Sequence, residues 1–254
     1  MYIDKEGLRK IAKQTVEISE RGFYVFEGKE VKVSSKIEPS FWTEEMVQGR
    51  LDRTSLCVPS VKCEISSTVN SIINNYSEGI GVLNFASASK PGGGFLNGSM
   101  AQEESIAYAS NLYYTIKDNY FYDYMRKFKA PIYTTAAIVS ENVLFRDAAH
   151  KLLRSPKYFR TITCPAVNQR GISYDVDPSI MKNRMRFILD LATHYKIRTL
   201  ILGAYGCGVF RNNPEIISKL WYDLLHEDFY LDNFKAVIFA IIDKKTYDIF
   251  KINI

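Results

Sequence analysis

The chain reads as an α/β protein, a mixed or parallel sheet with helices on both faces, and three observations predict this. Residues 80–85, 199–203 and 236–242 are short, nearly unbroken apolar runs, the kind that form strands buried on both faces. Segments with apolar residues at helical spacing alternate with them, as in layered α/β folds. Two of the runs lead at once into glycine-rich loops, and in open α/β sheets ligands sit beyond the carboxyl ends of the strands.

Leu8, Ile11, Ala12, Thr15 and Ile18 repeat at helical spacing and predict an amphipathic surface helix over residues 5–20. Short strands are expected near 23–26 and 30–33, a helix over 67–77, and then the strand at 80–85. The first glycine loop follows, and a helix should begin near Met100. Residues 131–139 and 158–164 read as strands, and Met181, Met185, Ile188, Leu189 and Ala192 mark another helix. After the strand at 199–203 and the second glycine loop, Pro214 and Glu215 open a helix through about Leu225, proline being favoured at a first helical position. The strand at 236–242 and a helix over 244–251 follow. No internal repeat or Ser/Gly/Pro-rich linker interrupts the 254 residues, so a single domain with one sizeable core is expected.

The net charge of +5 is spread along the chain, which suits an anionic substrate and a merely solvated surface alike. Cys57, Cys63, Cys164 and Cys207 contain no CxxC pair, and His150, His194 and His226 lack the i, i+4 spacing of a helical metal site, so no metal is expected. The cysteine spacing is also unlike a disulfide framework, which points to a reducing cytoplasm. The first residues carry charges where a signal peptide would need apolar ones. The longest apolar run, 236–242, falls far below the roughly 20 residues that span a bilayer, so a soluble protein is expected.

The chemistry concentrates in residues 92–104, Gly92-Gly93-Gly94-Phe-Leu-Asn-Gly98-Ser-Met-Ala-Gln102-Glu103-Glu104. Consecutive glycines give up backbone order, so a loop that keeps them needs positive φ or close approach to a ligand. The loop is no Walker A motif, because GK[ST] never appears, and Gly206-Cys207-Gly208-Val209-Phe210-Arg211 has arginine where a dinucleotide fingerprint needs its third glycine. What remains is generic diphosphate binding by exposed amides beside helix N-termini. Ser87-Ala-Ser-Lys90 matches SxxK, but Pro91 and three glycines follow where a helix belongs. Cys207 could be a thiolate, yet a small side chain letting a loop close on phosphate is the simpler reading. Glu103 and Glu104 lie about 100° apart on a helix, so only one can face the ligand directly. The macrodipole favours acids there for structural reasons too.

Gly92-Gly93-Gly94, seven residues, then Gln102-Glu103-Glu104 resembles the GGG-x(6–8)-QEE signature of poly(ADP-ribose) glycohydrolases, and 82–91 (Val-Leu-Asn-Phe-Ala-Ser-Ala-Ser-Lys-Pro) is similar to the compact bacterial-type branch. The segments 20–24, 143–147, 163–168 and 202–210 are family-like as well. The resemblance implies a macrodomain-like three-layer α/β/α fold with a central mixed sheet and an N-terminal helical extension over about 1–50. It implies hydrolysis of ribose–ribose O-glycosidic bonds with release of ADP-ribose and no cofactor. The polymer, or another ADP-ribosylated macromolecule, would be the substrate of a monomer. Glu104 would be the catalytic glutamate and Glu103 its neighbour at the scissile ribose. Gln102 would place loop and sugar, and Gly92, Gly93 and Gly94 would approach the distal ribose. Gly206, Cys207, Gly208 and Val209 would supply amides to the diphosphate, Phe210 would orient the ribose, and Asn84 and Ser87 would join the substrate-binding set. Ser99-Met100 and Gln169-Arg170 depart from the family pattern. The chain lacks the large accessory region of animal relatives, which favours cleavage from chain ends. A mono-ADP-ribosyl hydrolase, or a non-catalytic ADP-ribose reader, stays as the alternative.

Overall fold

The computed structural model describes residues 3–33, 38–47, 58–128, 132–174 and 176–254. Cys57, Pro131 and part of the N-terminal extension lie outside them. The chain runs α1 (Lys5–Arg21), β1 (Phe23–Phe26), β2 (Lys29–Lys32), β3 (Ser40–Thr43), β4 (Ser60–Ile65), α2 (Thr68–Asn74) and β5 (Ile80–Phe85). It continues through α3 (Gln102–Ala109), α4 (Leu112–Ile116), α5 (Phe121–Met125), β6 (Ala136–Arg146), β7 (Leu152–Cys164), α6 (Pro178–His194), β8 (Thr199–Leu202), α7 (Pro214–Tyr222), β9 (Ala236–Ile241) and α8 (Lys244–Asn253).

Among the described residues seven strands form one mixed sheet in the order β3-β6-β7-β5-β8-β9-β4, antiparallel from β3 to β7 and parallel from β7 to β4. Successive residues of a strand face opposite sides, and both sides are apolar. Leu83, Leu200, Val237 and Phe239 join Leu191, Trp221 and Phe250 of α6, α7 and α8. Val82, Ile138, Ile201 and Ile238 join Ile72, Ile106, Leu112 and Phe121 of α2 to α5. This is the three-layer arrangement expected.

The N-terminal extension adds more than its helix. β1 and β2 make a separate hairpin, and β3 pairs with β6 as an edge of the main sheet. Asp4 caps α1 by accepting from the Gly7 amide at 2.8 Å, and left-handed Gly22 ends it. Leu8 and Ala12 then pack on Phe95, Ala107 and Tyr108, so the helix braces the first glycine loop.

Several boundaries differ from expectation for identifiable reasons. The strand expected at 131–139 is β6, which starts at Ala136 and runs on to Arg146. Ser140-Glu-Asn142 hides its continuity, because buried Ser140 and Asn142 are satisfied inside: Ser140 Oγ donates to Asn142 Oδ1 at 2.8 Å, and Asn142 Nδ2 donates to Asn111 Oδ1 at 3.4 Å. β7 begins at Leu152 rather than near Tyr158, and its register with β6 shifts between Leu144 and Arg146, leaving room for Pro156. The helix expected near Met100 begins at Gln102, and α7 passes into a π-helical turn at Asp223–Glu227. Among the described residues no helix is long and apolar enough to cross a membrane.

Candidate active site

The five strands from β7 to β4 are mutually parallel, so their carboxyl ends share one edge of the sheet, where crevices form. A cavity of about 570 Å³ opens there, lined by residues from each of these ends, among them Ser66, Phe85, Ala166, Ala204 and Ile242. The size suits a nucleotide-sized ligand. Gln102, Gly206, Cys207, Gly208, Val209 and Phe210 line it as well, so six of the expected site residues converge. Met100, Asp243 and Thr246 complete parts of the wall.

The loop at 206–210 is shaped for an anion. Gly206 has φ 73°, and a Cβ there would lie 2.6 Å from Asn212 Nδ2 and 2.8 Å from the Ala166 methyl, so no side chain fits. Among the described residues the Gly208, Val209 and Phe210 amides donate to no backbone or side-chain acceptor, which leaves them available to phosphate oxygens. Cys207 is half-buried, and burial pushes its thiol up to about 12, which removes it as a thiolate nucleophile at neutral pH.

The remaining expected residues form a second, tighter cluster that does not line the cavity. α3 begins after extended Ala101 without a side-chain cap, and its first turn carries Glu103 and Glu104, both buried. Glu103 accepts from the Ser87 amide at 2.8 Å and from Asn84 Nδ2 at 3.2 Å. Asn84 is fully buried and also donates to Thr163 Oγ1 at 3.3 Å, so it faces Glu103 rather than the cavity. The Ser87 hydroxyl accepts from the Ser89 and Lys90 amides, which makes it a turn-former and leaves nothing of the SxxK reading. Gln102 ties α3 to the sheet, accepting from the Phe85 amide at 2.9 Å and donating to Leu83 O at 2.8 Å and Thr68 Oγ1 at 3.2 Å.

Glu104 accepts from the Gly94 amide at 2.9 Å. Gly93 sits against both carboxylates: with φ 62°, a Cβ there would fall 2.5 Å from Glu104 Oε1 and 3.1 Å from Glu103 Oε2. Tyr108, one helical turn after Glu104 and fully buried, donates its hydroxyl to Phe95 O and Ser99 O at 2.8 and 2.9 Å, and so anchors the loop to the helix that carries the carboxylates. Tyr108 and Asn212 are functional supports that sequence reading missed. Nothing in periodicity signals the tyrosine, whereas Arg211-Asn212-Asn213-Pro214 is a visible turn cluster.

Burial raises Glu103 from its ordinary 4.5 to about 8, opposed by its hydrogen bonds from Ser87 and Asn84 and assisted by the Glu104 charge. An unfolded chain gives up this proton near pH 4.5, while the folded chain keeps it to about pH 8. This contribution to stability is therefore complete below about pH 4.5 and is lost as the pH rises to about 8. Glu103→Gln should flatten the fall by a few kcal/mol, roughly 1.4 kcal/mol for each pH unit crossed, in urea unfolding compared at the two ends of that window. Equal pH dependence in both proteins would show that Glu103 ionises normally.

The comparisons agree with this geometry. Residues 12–147 match the family model described as microbial-type PARG, catalytic domain. A crystal structure of poly(ADP-ribose) glycohydrolase (PARG) from Thermomonospora curvata is similar at a TM-score of 0.88 and 29% identity, covering 98% of this chain and 100% of that one. The same enzyme bound to the inhibitor ADP-HPD gives 0.87 and 30% over 98% and 100%. The Deinococcus radiodurans PARG in complex with ADP-ribose gives 0.76 and 28% over 85% and 93%. No curated protein sequence matches the chain. With the family model covering more than half of its length and the glycine loop and carboxylate pair in place, the chain belongs to the microbial-type poly(ADP-ribose) glycohydrolase family, whose members are glycosidases.

Proposed function

We propose that this chain hydrolyses the ribose–ribose O-glycosidic bonds of poly(ADP-ribose), working from chain ends and releasing ADP-ribose. The observation that carries the reading is the approach of Gly93 to both carboxylates beside a cavity walled by the 206–210 amides. The cavity takes the terminal ADP-ribose, its diphosphate against Gly206 to Val209 and its distal ribose between Phe210 and the first glycine loop. Glu104 passes a proton to the leaving 2′-oxygen while positive charge develops at the anomeric carbon, and its carboxylate then takes a proton from the attacking water. The Gly94 amide holds that carboxylate in place. Glu103, with Asn84 and Ser87 on its oxygens, orients the neighbouring ribose. The bound diphosphate helps to stabilise the cation.

Residues 1–254 act as one macrodomain-like unit and as a monomer. The free thiols of Cys63, Cys164 and Cys207 suit a reducing compartment, and we take the cytoplasm as its place of action. Released ADP-ribose, quantified after incubation with poly(ADP-ribose), mono-ADP-ribosylated protein and ADP-ribosylated DNA, tests the substrate. The polymer should be consumed fastest with free ADP-ribose as the first product. Faster release from either mono-ADP-ribosylated substrate would move the chain to another hydrolase class, and binding without release would make it a reader.

In the binding half of the site, Gly206→Val forces a branched side chain into a left-handed position already filled by Asn212 and Ala166. ADP-ribose affinity should fall at least about 100-fold in isothermal titration, roughly 2.7 kcal/mol. Wild-type affinity would mean that the diphosphate binds elsewhere.

A further inference from the structure

The loops after β7 and β8 are knit to each other beside the cavity. Asn212, 3% exposed, donates from Nδ2 to Val167 O at 2.8 Å and to Gly206 O at 3.0 Å, and accepts from Gln169 Nε2 at 3.1 Å. The Gln169 amide donates to Phe210 O at 2.9 Å. One residue beyond that cross-loop bond on each side stands an arginine, Arg170 and Arg211. Both are exposed, and neither pairs with a carboxylate among the described residues. Their backbones are fixed, since the Arg170 amide donates to Asn168 Oδ1 at 3.0 Å and the Arg211 amide to Gly208 O at 3.1 Å. Arg211 also holds φ 58°, a conformation uncommon for a long side chain and maintained here by the knitted loops.

We propose that Arg170 and Arg211 form a fork that binds the diphosphate of the next ADP-ribose unit, the part of the polymer that leaves when the terminal unit is cut. The inference rests on the function proposed above. With the terminal distal ribose beside Phe210, the chain beyond the scissile bond leaves past Phe210, where Arg170 and Arg211 each follow a member of the bonded pair Gln169 and Phe210 on adjoining loops. Every further unit carries an anionic diphosphate, and guanidinium groups grip phosphate oxygens two at a time. The fork changes no bond. It supplies affinity for polymer over free ADP-ribose, and it gives the Gln169-Arg170 departure a purpose.

The test is made by binding, in the Glu104→Gln background so that polymer stays whole. Dissociation constants for poly(ADP-ribose) and for ADP-ribose are measured from about 50 to 200 mM salt with and without Arg170→Ala plus Arg211→Ala. The double variant should bind polymer about tenfold more weakly at the low-salt end, and the slope of log affinity on log salt should fall by about 1.4, two contacts of roughly 0.7 each for a single strand. ADP-ribose affinity should stay within about twofold, and Arg170→Lys plus Arg211→Lys should restore most of the slope, because Lys keeps the charge without the fork. Unchanged polymer affinity and slope would overturn the proposal. So would an equal loss for ADP-ribose, which would assign the arginines to the terminal unit. Turnover of polymer by the protein with Glu104 intact is scored separately, and its absence would defeat the proposed function rather than the fork.

Discussion

Glu104→Gln should lower release of ADP-ribose from the polymer by about 10²- to 10⁴-fold, the range supplied by a positioned general acid, while ADP-ribose binds as before. The amide is nearly isosteric and its oxygen still accepts from the Gly94 amide, so loop geometry survives and only the transferable proton is removed. Binding is preserved because the cavity walls at 206–210 belong to other elements than α3. Rate measurements at saturating polymer, with isothermal titration of ADP-ribose on the same preparation, check this. Unchanged turnover would end the assignment of Glu104. Loss of both turnover and binding would show that the carboxylate serves to hold the ligand.

Gly93→Ala should be nearly as damaging without replacing a titratable group. The added methyl would fall 2.5 Å from Glu104 Oε1 and 3.0 Å from its carboxyl carbon, well inside van der Waals contact, and φ 62° itself costs about 1–2 kcal/mol for alanine. The carboxylate is buried and tied to the next amide, so it can yield only by leaving its productive place. A displacement of about 1 Å costs on the order of 100-fold in rate. The expected result is a folded protein with kcat down at least about 100-fold, ADP-ribose affinity within about tenfold, and a melting temperature a few degrees lower. Near-normal kcat would show that the chemistry does not require this approach.

The different sizes of these effects follow from how the fold divides the labour. β5 delivers the first glycine loop to the carboxylates, and β8 delivers the second to the cavity. Parallel pairing of both strands puts the two loops on one edge. That much was legible in the sequence, because buried strands are continuous apolar runs and glycine loops punctuate them. Glu103 and Glu104 were legible as a pair through the signature around them. The raised carboxyl falls on Glu103, and that was not legible, because burial depends on where β5, Asn84 and the Ser87 turn come to rest.

Other elements escaped for physical reasons. β4 is an edge strand whose Lys62 and Glu64 reach solvent and each other, so its apolar signal is weak. α4 and α5 are five residues each, too short for a helical period to declare itself, and they stay helical because Leu112, Ile116, Phe121 and Met125 are buried against the sheet. Asn212 shows the limit best. A turn-former by type, it becomes the clasp of two loops only when chain segments more than 40 residues apart in sequence meet.

The decisive measurement is a crystal structure of the Glu104→Gln protein with ADP-ribose. The diphosphate should lie on the 206–209 amides, with the distal ribose beside Phe210 and its anomeric carbon facing position 104. A ligand bound in the reverse sense, or outside the cavity with the ribose remote from α3, would refute both the proposed binding mode and the role of Glu104.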